Sequence, residues 1–450
     1  MWDMISSRER APEHGGAHLI VDGIDAVVHR KAQFDLFLKP AQEKGLHRLL
    51  GVLVEVYNAA LEERRSAYAI AGVSVSLFDQ FRQVKDLRGV RDDVLAFGIQ
   101  PVRIALKRLD EAFQAFFRRI RNGETPGFPR FRAEHRYDTA AWDEPRSWAL
   151  VEAGGRRVVR ISGVGDVPVS KRAGKQLARL EARGGVAATL TVTRRRASSG
   201  FVWRATIGYK NVAAQKLPET GRLVGVDRGV AVTAATSDGD LHTYPQLART
   251  LRAQADALGE AKSGKKRGSR AWIRISRDIA KLRRRAANLV DDWARQAAID
   301  IVAKADVIVL EDLRPANMTK SAKGTVDKPG VNVAAKARLN REMLAAGLGR
   351  LHTRICVKAE EAGRRCWIVN AKYTSRTCAA CGHVAKASRV SQAEFVCVAC
   401  GHAANADVNA AINIAVLGGA AEAAWRAAGE PGLTRRAPRL RRRKARPAAA

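Results

Sequence analysis

Between residues 31 and 40, KAQFDLFLKP alternates apolar and polar positions with a period of two, which predicts a strand. The period then lengthens. HRLLGVLVEVYNAALEERRSAYAIAG (47–72) carries its apolar residues at helical spacing, and a second helical stretch runs from residue 78 through VRIALKRLDEAFQAFFRRI (102–120). ETPGFPRFR (124–132), with two prolines and a glycine, ends this helical region. From 146 to 209, short β-like runs recur between turns, first SWALVEAGGRRVVRISGVGDVPVS and then GGVAATLTVTRRRASSGFVWRATIGY. They predict a small β-barrel or sandwich with TRRRASSG as a basic hairpin tip. KAQFDLFLKP has no other sheet to join, so it is expected to pair there, with the helices inserted between.

The pattern changes again at 222. RLVGVDRGVAVTAATSDGDLHTYP reads as strands broken by turns, basic helices span roughly 246–304, and ADVIVLEDL reads as a buried strand. Strands alternating with long helices predict an α/β domain. GKKRGSR (264–270) is a basic loop, and the closing stretch from GGAAEAAWRAAGEPG through RRAPRLRRRKARPAAA reads as a disordered Ala- and Arg-rich tail. No internal repeat is visible.

The 450 residues exceed what one core accommodates, so several domains are expected. Lys and Arg total 79 against 45 Asp and Glu, a formal charge of +34. Such an excess repels itself unless a polyanion neutralises it, which points to nucleic acid. The start, MWDMISSRERAPEHGG, has charges where a signal peptide needs an apolar stretch, and no run of about 18 apolar residues occurs. A soluble, cytoplasmic protein with no membrane partner is therefore the expectation.

Four of the six cysteines cluster: Cys378 and Cys381, then Cys397 and Cys400, each pair two residues apart. That spacing lets four thiolates surround one tetrahedral Zn²⁺, with Gly382 and Gly401 serving the tight turns. A site filled by four protein ligands leaves no open position, so the metal is expected to be structural. His383 and His402 follow the glycines as alternative ligands that a Cys₄ set does not need. Cys356 and Cys366 read as core residues.

Three acids stand out. Asp227 interrupts the apolar run VGVDRGVAV, Glu311 ends VIVL, and Asp407 opens the helical DVNAAINIA. Singly, each could be a cap or a strand-end acid. Together, acids from distant parts of a chain can hold two Mg²⁺ ions for phosphodiester hydrolysis. Asp238, Asp240 and Asp312 read as turn or capping residues. Alternation along the strand points Arg228 away from Asp227, and a phosphate contact and a plain surface cation both stay open for it.

GVDRGV, VIVLEDL, YTSRTCAACGH…FVCVACGH and ADVNAAINIA resemble, in order and spacing, the split RuvC motifs and inserted zinc ribbon of the TnpB transposon proteins and compact type V CRISPR effectors. VEVYNAALEERR and PGFPRFR resemble, more loosely, that family's recognition lobe and the boundary to its wedge domain. The resemblance implies a multidomain α+β chain: a helical recognition lobe, a β-barrel wedge domain and an RNase H-like (RuvC) α/β nuclease domain with an inserted Cys₄ zinc ribbon. It divides the chain into a flexible N-terminal arm (1–25), a first wedge strand (26–45), the recognition lobe (46–125), the wedge barrel (126–215), the nuclease domain (216–370), the ribbon (371–403), a final nuclease helix (404–420) and a basic disordered tail (421–450). It further implies an RNA-guided, Mg²⁺-dependent DNA endonuclease with guide RNA and double-stranded target DNA as partners, and Asp227, Glu311 and Asp407 as catalytic metal ligands. The alternative is a guided DNA-binding repressor that cleaves weakly or not at all. Family members often have Gln where Arg376 stands; a phosphate contact and a plain surface cation both remain open for it.

Overall fold

The computed structural model describes residues 17–23, 27–87, 90–197, 200–313, 318–322, 324, 328–370 and 372–429. Strand β1 (His18–Val21) and everything from residue 214 onward form one unit; residues 27–213 form another. Both mix helices and strands, so the chain is a multidomain α+β protein.

The unit of residues 27–213 begins with strand β2 (Val27–Leu36), which runs straight into helices α1 (Pro40–Ala71), α2 (Leu77–Leu87), α3 (Asp92–Phe97) and α4 (Gln100–Arg121). Strands β3 (Thr139–Trp142), β4 (Trp148–Ala153), β5 (Arg156–Ile161) and β6 (Gly165–Pro168) follow, then helix α5 (Lys171–Glu181) and the long hairpin β7 (Val186–Ala197) and β8 (Gly200–Ala213). The expected discontinuity is present: β2 pairs antiparallel with β8 across more than 160 residues, in a sheet of order β2-β8-β7-β3. Alternation makes this possible, because Ala32, Phe34 and Leu36 are buried while the residues between them are exposed. The expected barrel is not formed by strand pairing. β4, β5 and β6 make a separate three-stranded sheet that shares no ladder with the first among the described residues. Helix α5, capped by the Ser170 hydroxyl, fills the stretch between the two β-like runs read from the sequence. The basic hairpin tip falls partly outside the described residues.

The other unit is built on a six-stranded sheet. Its strands β9 (Leu223–Asp227), β10 (Ala234–Thr236), β11 (Leu241–His242), β12 (Val307–Glu311) and β13 (Arg365–Val369) join β1 in the order β1-β13-β12-β9-β10-β11. β9, β12 and β13 are parallel, and helices α6 (Gln246–Ser263), α7 (Arg270–Lys304), α8 (Val333–Ala346) and α9 (Leu348–Ala362) supply the crossovers. A hairpin of β14 (Glu394–Val396) and β15 (Ala403–Asn405) precedes the last helix, α10 (Ala406–Ala427).

Both faces of this sheet are covered. Val224, Val226, Ile308, Leu310 and Cys366 pack against α7 and α9 on one side, while Val307, Val309, Trp367 and Val369 pack against Ile414 and Trp425 of α10 on the other. That arrangement explains the nearly unbroken apolar run VIVL of β12.

Two expected boundaries are corrected. Residues 18–21 are not part of a loose arm: HLIV pairs antiparallel with β13 and closes the sheet edge, Leu19 packing toward α10 and Ile20 toward α9. Three apolar residues, Leu19, Ile20 and Val21, were hidden by their polar, Gly-rich flanks. Residues 421–427 likewise continue α10. Glu422 is buried and accepts hydrogen bonds from Arg365 Nε, Trp367 Nε1 and Arg426 Nε, each at 2.8 Å, and Trp425 is buried three residues later on the same face. The rest of the expected arm and tail lies outside the described residues. By length and composition α10 would suffice to cross a membrane. Its buried Asp407, Asn409 and Glu422 instead face protein.

Candidate functional site

β9 reads LVGVD and β12 reads VIVLE, so each delivers an acid at the carboxyl edge of the sheet. The strands are adjacent and parallel, Leu310 opposite Val226, and Asp227 and Glu311 emerge side by side. Which face they take follows from the glycines. A Cβ at Gly225 would lie 2.2 Å from the Ala411 carbonyl oxygen of α10, and one at Gly418 would lie 2.2 Å from Val309 Cγ2. Gly225 and Val309 thus point at α10, and so do Asp227 and Glu311, two positions further along. Without those glycines the helix could not approach the strands this closely.

Asp407 stands in the first turn of α10. The Asn405 side chain caps that turn, accepting from the backbone N–H of Asp407 at 3.0 Å and of Val408 at 3.2 Å. Further along, Asn409 Nδ2 donates to the Thr377 carbonyl at 2.8 Å and its Oδ1 accepts from the Ala379 N–H at 2.9 Å. Asn413 Nδ2 donates to the carbonyls of Thr374 and Thr377. The helix is therefore tied to the first cysteine knuckle. Asp227, Glu311 and Asp407 line one cavity of about 320 Å³ with Thr374, Ser375 and Arg389.

Three acids this close are unhappy as three anions. Burial, and then the Asp407 carboxylate, raise the pKa of Asp227 to about 6; burial, and then Asp227, raise that of Glu311 to about 8. Near neutral pH the pair retains a proton that a divalent cation would displace. Two cations partly offset the repulsion. Arg389 Nη2 donates to Asp407 Oδ1 at 3.0 Å, and the buried Arg228 donates from Nη2 to the Glu311 carbonyl oxygen at 2.5 Å, while its backbone N–H reaches Glu311 Oε1 at 3.3 Å. Arg228 thereby clamps the ends of β9 and β12 together.

The remaining residues singled out in the sequence fall as follows. Asp238 pairs with Arg222 at 2.6 Å and Asp240 with Lys304 at 2.6 Å, both in the β10–β11 turn. The backbone N–H of Asp312 donates to the Val369 carbonyl at 2.8 Å. Arg376 is exposed and does not line the cavity. Cys366 is in the core, and Cys356 Sγ lies 3.7 Å from His352 Nε2. Sequence reasoning passed over Arg389, Thr374 and Ser375. Arg389 had no signal to separate it from the chain's many other cations.

The four clustered cysteines meet as well. Their Sγ atoms all lie within 4.8 Å of one another, with Cys378 to Cys400 at 3.8 Å and Cys381 to Cys397 at 3.6 Å. Four thiolates about 2.3 Å from one tetrahedral Zn²⁺ would stand about 3.8 Å apart, so the set fits that ion. The two knuckles are built alike. Gly382 N–H donates to Cys378 O and Gly401 N–H to Cys397 O, both at 2.9 Å, and each glycine has φ near +74°. Cys378 N–H and Cys397 N–H donate to the carbonyls of His383 and His402. Neither imidazole belongs to the thiol cluster. Phe395 is fully buried against Cys378, Cys397 and Ala406, which joins the cluster to the start of α10.

Comparison with known proteins matches residues 349–414 to the family model described as Cas12f1-like, TNB domain, and residues 206–322 to the model described as Probable transposase. The chain is 30% identical over 397 residues to the Escherichia coli (strain K12) protein named "Putative RNA-guided DNA endonuclease InsQ", covering 86% of this chain and 92% of that one. It is 27% identical over 225 residues to the "CRISPR-associated endodeoxyribonuclease Cas12f1" of Sulfoacidibacillus thermotolerans, covering 48% and 50% of the two chains. Among solved structures, a Cas12f1-sgRNA-target DNA complex has a similar fold, with a TM-score of 0.53 at 14% identity over 83% of this chain and 82% of that one.

Proposed function

The chain belongs to the family of TnpB transposon proteins and compact type V CRISPR effectors, and from that premise we propose that it is an RNA-guided DNA endonuclease. A guide RNA pairs with target DNA beside a short motif read by the protein, and the site at the edge of the six-stranded sheet hydrolyses the phosphodiester backbone. The observation that supports this most is the shared cavity of Asp227, Glu311 and Asp407, three acids from positions spread over 180 residues.

Asp227, Glu311 and Asp407 would hold two Mg²⁺ ions, which when bound supply water activation and stabilise the leaving oxygen. The raised pKa values of Asp227 and Glu311 suit this role: the carboxylates give up their shared proton when a cation enters. Asn405 and the Asn409 and Asn413 bonds fix where Asp407 enters the site. Arg389 neutralises Asp407 in the structure as described and, once a cation takes over that task, is free to meet a phosphate oxygen. Thr374 and Ser375 line the wall where a strand would enter. Cys378, Cys381, Cys397 and Cys400 would hold a structural Zn²⁺ that keeps this wall folded.

The helical insertion 40–121 and the sheets of residues 27–213 serve as recognition and wedge surfaces for guide RNA and target duplex, in the cytoplasm. The charge of +34 supplies the attraction. The test is cleavage of a plasmid carrying the target and adjacent motif by the purified protein–guide complex in Mg²⁺. Cuts that Asp227→Ala abolishes, with binding retained, support the reading. Equal cutting by that variant removes the assignment of the acids. Tight guided binding with no cutting in any divalent ion would favour the repressor. The copurifying RNA distinguishes the two branches of the family: repeats with varied spacers indicate a CRISPR effector, and a transposon-end RNA indicates TnpB.

A further inference from the structure

The segment PGFPRFR, which marks a boundary in the sequence, has an organisation that neither the acids nor the thiols explain. It leaves α4 and is pinned at both ends. The Phe128 ring packs edge-on against Phe113 and Phe116 of α4, with centroids 5.6 and 5.3 Å away. Four residues later the Asn58 side chain of α1 grips the backbone of Arg132, donating to its carbonyl at 2.9 Å and accepting from its N–H at 2.8 Å. Pro129 between them is buried, and Pro126 and Pro129 each restrict the backbone.

This rigid segment nevertheless shows its rings to solvent. Phe128 is 46% exposed and Phe131 50%, and on the last turns of α4 Phe117 is 54% and Ile120 48% exposed. Phe117 is held by Phe116 at 5.2 Å and stacks over Phe113 at 6.4 Å, so its outer face is free. A loop that merely closed the helical region would turn these rings inward or do without them. Arg118, Arg119 and Arg121 share the last turns of α4 with Phe117 and Ile120, and Arg130 stands between Phe128 and Phe131 in the segment; all four are exposed, and among the described residues none makes an ion pair. Three of them suit the C-terminus of α4. That accounts for their charge but not for the rings between them.

A second copy of the chain is a poor occupant. A two-fold contact would press one arginine cluster onto its own image. A polyanion with flat apolar faces is complementary to both features. We propose that Phe117, Phe128 and Phe131 form a stacking platform for unpaired bases of a nucleic-acid strand, with Arg118, Arg119, Arg121 and Arg130 holding its phosphates. The platform takes its biological context from the guided-nuclease reading, since a guided enzyme must open a duplex and shelter unpaired nucleotides.

The test is fluorescence anisotropy of a labelled oligothymidine of about 20 nucleotides, and of the same strand as a duplex, titrated with the full chain at about 300 mM salt to suppress purely ionic binding. Phe117→Ala with Phe131→Ala should weaken single-strand binding about tenfold or more, leave duplex binding within about twofold, and keep the salt dependence. Phe117→Tyr with Phe131→Tyr, which retains flat rings, should bind as the unaltered chain does. Phe117→Leu with Phe131→Leu guards against a folding defect, being equally apolar without a ring, and should be weakened like the alanine pair. Unchanged binding by the leucine pair, equal weakening for strand and duplex, or loss of self-association in sedimentation with strand binding intact would each overturn the proposal. No guide and no cleavage enter this measurement, so an inert acidic site would leave its outcome untouched.

Discussion

The thiol cluster and the acid cluster lie at the two ends of one short connection, from the second knuckle into α10, yet they solve opposite problems. Four sulfurs gather within 24 residues of sequence, their spacing already that of a tetrahedron, and backbone N–H groups close each knuckle. The acids come from strands β9 and β12 and from helix α10, and burial, then their mutual approach, raises the pKa of two of them. A closed local cluster stabilises fold; an open cluster assembled over distance stores repulsion that a ligand relieves. The lesson is that proximity of ligand atoms alone does not mark a structural metal site: what separates the two is whether protein ligands would close the coordination sphere or leave positions open.

The largest expected effect separates the two centres by activity. Asp227→Ala, Glu311→Ala or Asp407→Ala should each lower cleavage on the order of 10³-fold or more, because losing one preorganised group at developing charge already costs about 10²–10³. Zinc content, measured by atomic emission, should stay at one ion per chain. Cys381→Ser or Cys397→Ser should do the reverse first. The chain should lose its zinc and become protease-sensitive between residues 372 and 405, and cleavage should fail as a consequence. An acid variant that loses zinc, or a cysteine variant that keeps full cleavage without it, would break the division drawn here.

Truncation sharpens the same contrast on the α10 side. Removing 421–450 takes away Glu422 and Trp425 and strands Arg365 and Trp367 Nε1 without their acceptor. Burying an unpaired donor and opening a hole beside Trp367 each cost about 1–5 kcal/mol, so a loss of several degrees is expected in differential scanning fluorimetry.

How much of this was legible depended on how local the determinant is. The Cys₄ set could be read from spacing alone, since the chemistry of one tetrahedral ion fixes it. Asp227 and Glu311 were legible as polar intrusions at strand ends and Asp407 as an acid opening a helix, while the role of Arg228 was left open by its sequence and is set by the Glu311 backbone it meets. Arg389 was not legible: it reaches Asp407 from a loop eighteen residues upstream, and nothing in SRVSQAEF marks it among 79 cations. HLIV was lost because four residues make too short a period to detect, and their role as an edge strand exists only once β13 is in place. The Ala-rich start of the supposed tail concealed a helix whose two informative residues, Glu422 and Trp425, matter only through partners on β13. Strand pairing within residues 27–213 followed from exclusion, yet closure into a barrel did not, because nothing local dictates which ladders are left open.

The smallest effect tests the raised pKa values themselves, and its sign is opposite to that of a salt-bridged carboxylate. A carboxyl group whose folded pKa lies above its unfolded value favours the fold most when protonated, and that contribution is lost as pH rises through the folded pKa. For Asp227 the window runs from about 4 to about 6, and for Glu311 from about 4.5 to about 8. Without divalent ions the unit built on the six-stranded sheet should therefore lose a few degrees of melting temperature between about pH 5 and pH 8 from these groups. Added Mg²⁺ should restore more at pH 8 than at pH 5, because at the lower pH it must first displace protons. Asp227→Asn removes one of the opposing charges, so in chelator-free, Mg²⁺-free buffer at pH 8 it should melt a few degrees higher than the unaltered chain while cutting nothing, and Mg²⁺ should no longer raise it. If Asp227→Asn instead melts lower at pH 8 with the zinc intact, the acids are held by partners already present. The contrast between a satisfied cluster and a waiting one would then be lost.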